Sequence, residues 1–95
     1  MMARQVDNQT FEKEQGDLLD YRINYGDNWL GTDTLATSIW DIPSGIYEVS
    51  NTFDDDESIV WVSGGVSGQA YILANTVTTV VGRIKNRDIS VRIAP

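Results

Sequence analysis

The chain has 95 residues, contains neither cysteine nor histidine, and carries a net charge of −7. A chain of this length forms one domain, and the two missing residue types exclude disulfides, cysteine nucleophiles and the commonest zinc ligands and general bases. The negative charge disfavours contact with phosphate backbones and anionic lipid heads, and no apolar run approaches the roughly 20 residues that span a bilayer. We therefore expect a soluble protein without nucleic-acid or membrane partners.

The chain is predicted to begin with an extended arm at residues 1–10, for which a frayed terminus is the alternative, followed by one domain at residues 11–95. Short β-rich or alternating segments recur in this domain, separated by clusters of Gly, Asn, Asp, Ser or Pro, which predicts about seven strands. The predicted strands are 11–16, 18–25, 35–42, 46–53, 59–62, 71–81 and 88–93, with a loop at 54–57 and a polar turn at 82–87. This spacing predicts an all-β fold, an immunoglobulin-like β-sandwich of antiparallel strands with Greek-key connections.

Alternation of apolar and polar residues predicts which strand positions are buried. In the fourth predicted strand, Ile46 and Val49 are the candidate core positions. The second and seventh strands alternate over their whole length, and their predicted buried residues are Leu19, Tyr21, Ile23, Tyr25, Ile89, Val91 and Ile93.

Two aromatic residues occupy positions at which immunoglobulin-like sandwiches use them for structure. Tyr71 begins the sixth strand, and we interpret it as a tyrosine corner whose hydroxyl bonds to backbone a few residues upstream. Trp40 lies on the third strand, where this fold places a buried tryptophan, although the cysteine pair that usually surrounds it is missing. The alternatives are an ordinary core or surface position for Tyr71 and a binding role for Trp40.

Large apolar side chains on the expected surface are the candidates for partner binding. If Val60 and Val62 face the core, Trp61 points outward together with Ile59, and an exposed aromatic residue on a sheet suits a contact surface. The opposite orientation, with Trp61 in the core, remains open. The complete set of predicted partner-binding residues is Phe11, Trp29, Ile59 and Trp61.

The remaining polar clusters do not predict an enzyme, a metal site or a cofactor. The acidic run 54–57 offers carboxylates to Ca²⁺, but it lacks the alternating spacing of a calcium loop, so we interpret it as a solvated loop. The serines lack a nucleophile elbow and a histidine base. The glycine-rich segment 64–68 lacks the following Lys-Ser/Thr pair of a phosphate-binding loop.

A series of short motifs resembles a family of small tailed-bacteriophage proteins. The motifs are residues 19–21, 29–38, 40–45, 60–65, 68–71 and 75–79, within a similarity that covers residues 11–93. The segment 13–16 lacks the proline that relatives often have there. The resemblance implies an immunoglobulin-like virion structural protein, encoded among head and connector genes, with no catalytic residue.

The resemblance leads to one main hypothesis about function. The protein would be a capsid decoration or cement protein, made in the host cytoplasm and located on the capsid surface of the virion. It would bind the major capsid protein or other virion proteins through the arm and the surface around Trp61, as a homo-oligomer for which we expect a trimer.

Three alternatives remain. One is a neck or tail accessory, and another is a fibre-associated attachment module that binds a host surface glycan or protein. In the attachment module, Trp29 and Trp61 would stack on sugar rings. The third and most remote is an inhibitor of the host that mimics nucleic acid.

Overall fold

The computed structural model describes residues 9–26 and 29–95. The predicted arm lies outside these residues except for Gln9 and Thr10, which belong to the first strand. Within the described residues the chain forms seven strands and no helix. The strands are β1 (Gln9–Lys13), β2 (Leu19–Asn24), β3 (Leu35–Asp41), β4 (Ile46–Phe53), β5 (Glu57–Gly64), β6 (Ala70–Thr79) and β7 (Ile84–Ile93).

The strands form two sheets with the core between them, which confirms the predicted all-β sandwich. One sheet has the order β1-β7-β6-β3 and the other has the order β2-β5-β4. One pairing departs from the predicted antiparallel arrangement, because β1 runs parallel to β7. Since β2 lies in the other sheet, β1 forms no hairpin with it and instead pairs with the edge of β7.

The strand boundaries match the prediction for β4 and differ by a few residues elsewhere. The polar turn predicted at residues 82–87 is confirmed for residues 82–83 and wrong for residues 84–87, because β7 already begins at Ile84 and pairs with β6 from there. Polar residues on both faces hide the alternation in this half of β7. The predicted acidic loop is confirmed for residues 54–56, whereas Glu57 begins β5.

The core contains most of the residues that alternation predicts. Buried side chains from β2, β7 and the residue after β2 are Tyr21, Ile23, Tyr25, Ile89, Val91 and Ile93, while Leu19 is half-buried. Ile46 is also buried, but Val49 is 56% exposed, so the prediction for Val49 is wrong. The register shifts between Glu48 and Ser50, and this β-bulge leaves Val49 without a Cα partner on β5.

A chain of buried hydrogen bonds joins the two sheets of this cysteine-free sandwich. The Tyr25 hydroxyl donates to Oδ1 of Asn75 at 2.7 Å, and Nδ2 of Asn75 donates to Oγ of Ser38 at 3.0 Å. Ser38 and Ser58 share a hydrogen bond of 2.6 Å, and Nε1 of Trp40 donates to Oγ of Ser58 at 2.9 Å. Trp40 is therefore buried with its polar atom satisfied, which avoids the cost of an unpaired donor.

A buried lysine fixes the junction between β1 and the end of β5. Nζ of Lys13 donates to the carbonyl oxygens of Glu14, Gln15 and Gly64 at 2.9, 3.3 and 2.7 Å. Desolvation lowers the pKa of Lys13, and the nearby carboxylate of Asp17 opposes this shift. Because β1 and β5 belong to different sheets, this ammonium group ties the sheets together at one end of the sandwich.

Tyr71 performs a similar role at the same end. Its hydroxyl accepts a hydrogen bond of 3.0 Å from the backbone N–H of Val66, five residues upstream. Its ring packs against the core. This is the bond that the tyrosine-corner interpretation expects, and it fixes the loop between β5 and β6.

Candidate functional site

The outer face of the three-stranded sheet presents Trp61 near its centre. Val60 and Val62 are fully buried, so alternation along β5 turns Trp61 away from the core, and its exposed fraction is 40%. Its direct neighbours across the sheet are Asp20 on β2 and Ser50 on β4. The structure thus places Trp61 on the surface, in the orientation that burial of the two valines predicts.

Ile59 shares this face and is half-buried between Arg22 of β2 and Thr52 of β4. Arg22 forms ion pairs of 3.4 Å with Asp20 and with Glu57. Exposed pairs of this kind contribute only about 0–1 kcal/mol, so their main effect is to orient the side chains around the apolar centre. Two carboxylates and one guanidinium therefore border the apolar side chains.

Tyr47 enlarges the aromatic surface and was missed by the sequence analysis. It is 63% exposed and pairs with Ser63, two residues beyond Trp61 on β5. A Cβ atom at Gly64 would lie 2.8 Å from Cδ2 of Tyr47, so the glycine leaves room for this ring. The sequence did carry one signal for the exposure of Tyr47. It directly follows Ile46, a predicted core residue, and successive side chains of a strand face opposite sides of the sheet. We call Asp20, Arg22, Tyr47, Ile59 and Trp61 the Trp61 face.

Trp29 does not join the Trp61 face. Its ring packs against the core and lies 5.9 Å from the ring of Tyr25. The guanidinium of Arg83 and the ammonium of Lys85 lie 4.6 and 5.7 Å from the ring centroid of Trp29, within cation–π range. The ring of Trp29 therefore already has partners within the chain.

Phe11 also lies apart from the Trp61 face. It pairs with the buried Val91, and its half-buried ring lies 5.0 Å from the ring of Tyr21. Part of the Phe11 ring is thus covered within the chain, and its predicted role in partner binding stays a prediction. The ring is partly covered because β1 is a strand of the sheet, so its alternate side chains point towards the core.

The acidic loop is held by its own backbone. Oδ1 of Asp54 accepts hydrogen bonds from the N–H groups of Asp56 and Glu57 at 3.1 and 2.9 Å. The bond from Glu57, followed by that from Asp56, lowers the pKa of Asp54. In residues 9–26 and 29–95, no group of three or more Asp or Glu side chains is arranged to hold a metal ion.

Asp33 organises the end of the sandwich where β6 turns into β7. Its carboxylate accepts hydrogen bonds from the backbone N–H groups of Thr34 and Val81 at 2.9 and 3.2 Å. Arg83 donates to Oδ2 of Asp33 through Nε and Nη2 at 3.2 and 3.1 Å. The pKa of Asp33 is lowered, first by a hydrogen bond from the Thr79 hydroxyl and further by the other donors.

No helix in the described part of the chain is long and apolar enough to cross a membrane. A family model described as podophage GP4 fiber-tail adaptor protein gp77 matches residues 13–92, from the last residue of β1 almost to the end of β7. No curated protein matches the chain.

The family match supports the expected role in the virion, but it does not specifically support the resemblance to head decoration proteins. It favours the tail- and fibre-associated alternatives over capsid decoration. The capsid surface is likewise not confirmed as the location. The protein is a structural protein of the bacteriophage virion, and it belongs to the podophage GP4 fiber-tail adaptor protein gp77 family.

Proposed function

We propose that this protein connects a fibre to the tail of the virion through protein–protein contacts. The observation that carries the proposal is the family match over residues 13–92, which covers all five residues of the Trp61 face. The structure adds a β-sandwich whose buried hydrogen bonds fix the two sheets relative to each other. A rigid scaffold suits an adaptor, because partners held by it keep a fixed relative position.

The Trp61 face has the composition of a protein-binding surface. Trp and Tyr are enriched among interface residues that dominate binding energy, since they bury large areas at a low cost in conformational entropy. Trp61 and Tyr47 are both exposed here, and Asp20 and Arg22 supply a polar border. We therefore propose this face as one contact surface of the adaptor.

Side-chain contacts fit this surface better than the addition of a strand to the edge of β4. The edge of β4 carries a bulge at Val49, and Glu48 opposes the buried Val62, on the inner side of the sheet. Bulges and inward-pointing charges are devices that discourage strand pairing at an edge. The attachment alternative required Trp29 and Trp61 to stack together on sugar rings. The ring of Trp29 packs against the core and Arg83 instead, which argues against this alternative.

Reconstitution with phage particles tests the proposal. Particles produced without this protein would be incubated with the purified protein and then with purified fibres, and imaged by electron cryomicroscopy. We expect protein density between tail and fibre, and the copy number there would also test the expected homo-oligomer. Density at capsomer junctions on the head would contradict the adaptor role and support capsid decoration.

Variants test the assignment of the Trp61 face. Trp61→Ala and Tyr47→Ala should weaken attachment to one of the two partners, whereas Ile72→Ala should not. Ile72 is a matched control because it is an exposed apolar residue on a strand of the other sheet. Equal attachment of all three variants would exclude the Trp61 face as a contact surface without contradicting the adaptor role.

A further inference from the structure

The turn between β6 and β7 carries a second exposed apolar surface. Val80, Val81 and Ile84 are 68%, 76% and 68% exposed, the largest fractions among large apolar side chains in the described residues. We call these three residues the hairpin tip. Contiguous exposed apolar patches on a protein surface often mark a site that a partner covers.

The hairpin tip is held rigidly although its side chains are exposed. The backbone N–H of Val80 donates to the carbonyl oxygen of Thr34 at 2.9 Å, and that of Val81 donates to Oδ1 of Asp33 at 3.2 Å. The hydroxyl of Thr79 accepts from the N–H groups of Gly82 and Arg83. A surface fixed in this way loses little conformational entropy on binding.

The acidic loop, which carries three carboxylates at residues 54–56, is linked to the hairpin tip through one peptide group. The Thr34–Leu35 peptide accepts a hydrogen bond from Val80 through its carbonyl oxygen and donates one to the carbonyl oxygen of Asp55 through its N–H, each at 2.9 Å. The side chains of residues 54–56 are exposed. The apolar tip and the acidic loop therefore form one continuous surface at this end of the sandwich.

The nearby cations offset only part of this negative charge, because Arg22 acts on Asp54 and pairs with Glu57 but leaves further carboxylates of the loop exposed. Arg83 is engaged with Asp33, with the carbonyl oxygens of Trp29 and Leu30, and with the Trp29 ring. Lys85 also lies over the Trp29 ring. The surface thus offers apolar side chains next to exposed carboxylates, and its electrostatic complement is an apolar recess bordered by Lys and Arg.

We propose that the hairpin tip and the acidic loop form a second contact surface, which binds a virion protein that has an apolar recess bordered by basic side chains. The inference rests on the proposed function, because an adaptor needs two separate surfaces for its two partners. The Trp61 face lies on the outer face of one sheet, whereas the hairpin tip lies at one end of the sandwich. Two bodies can therefore bind without competing for the same surface.

The test measures binding of purified protein to two probes, namely purified fibres and tails from particles that lack this protein. Val80→Ser/Val81→Ser removes the apolar contacts and keeps the backbone bonds of the tip. Asp55→Asn/Asp56→Asn removes two charges without changing side-chain shape. Val66→Ser is the matched control, because Val66 is an exposed valine at the opposite end of the sandwich.

We expect the valine double variant to weaken binding to one probe about tenfold or more and to leave binding to the other probe unchanged. The aspartate double variant should weaken binding to the same probe and reduce its dependence on salt, because opposite charges across an interface are screened by ions. Val66→Ser should bind both probes like the wild type. Circular dichroism and thermal unfolding check that each variant is folded.

The outcomes separate this inference from the proposed function. If the wild type binds both probes and the two double variants bind them equally well, the second surface is wrong and the adaptor role stands. Loss of binding to both probes in a folded valine variant would also overturn the assignment of the tip to one partner. If the wild type binds neither probe, the adaptor role itself fails, and this inference fails with it.

Discussion

Arg83 donates through Nε and Nη2 to the same oxygen of Asp33, at 3.2 and 3.1 Å, so that β7 is tied to the segment before β3. The Asp33 side chain is 6% exposed and the Arg83 side chain is 41% exposed. Three further donors, first the Thr79 hydroxyl and then the backbone N–H groups of Thr34 and Val81, stabilise the charged carboxylate together with Arg83 and lower its pKa. This pair supports the turn that carries the hairpin tip.

Asp33 should make the stability of the protein depend on acidity. Its pKa is lowered from the ordinary value of 3.8 in the folded state, so the unfolded chain binds more protons between the two values. The stabilisation is therefore complete above 3.8 and is lost as pH falls through the lowered pKa. We expect the urea concentration at the midpoint of unfolding to fall less steeply with decreasing pH in Asp33→Asn than in the wild type.

The lowered pKa of Asp54 acts in the same direction, so the Asp33→Asn variant should retain part of the acid dependence. Asp41→Asn serves as the control, because Asp41 is an exposed carboxylate on β3. An acid profile of Asp33→Asn that coincides with the wild type would contradict the role assigned to Asp33.

Ser58→Ala should destabilise the fold by about 1–3 kcal/mol, because it leaves the buried Nε1 of Trp40 without its acceptor and removes the partner of Ser38. Chemical denaturation followed by tryptophan fluorescence measures this change. Ser90→Ala is the control, since Ser90 lies on the outward side of β7 opposite Ile72. If Ser58→Ala lowers the free energy of unfolding no more than Ser90→Ala, the buried chain of hydrogen bonds contributes little to stability.

Tyr71→Phe should lower the free energy of unfolding by about 1 kcal/mol, the usual net contribution of one hydrogen bond, because the ring stays in place while the bond from Val66 is lost. Hydrogen exchange of the Val66 amide should accelerate in this variant. Unchanged protection of that amide would contradict the bond as the element that fixes the loop.

The two lysines of the chain, Lys13 and Lys85, should differ strongly in reactivity. Lys13 is buried beneath three backbone carbonyls, whereas Lys85 is half-buried beside Trp29. An amine-specific acetylating reagent should modify Lys85 in the native protein and reach Lys13 only after denaturation, as peptide mass spectrometry can determine. Equal labelling of both in the native state would exclude the buried position of Lys13.

Alternation was enough to predict the parts of the fold in which strands are regular. The buried side of β2 follows from a period of two, whereas for β5 alternation left two orientations of Trp61 open, and the burial of Val60 opposite Tyr21 decides for the outward one. Val49 was mispredicted because a bulge changes the period without leaving a mark in the sequence.

Contacts between distant parts of the chain were beyond the reach of local patterns. The ring of Trp29 is covered by Arg83, 54 residues later in the sequence. The Trp61 face likewise brings together residues from three strands, including Tyr47, whose exposure depends on the register of β4. Composition excluded cysteine and histidine chemistry, while the choice between head and tail came from the family match.

The parallel pairing of β1 with β7 has a mechanical consequence. The first and last strands of the domain lie side by side, with Gln9 beside Ile89 and Lys13 beside Ile93. A pull applied between the two chain ends would load the backbone hydrogen bonds of this pair in shear, all together, instead of opening them one after another. A domain held by these two strands would therefore resist tension applied between them.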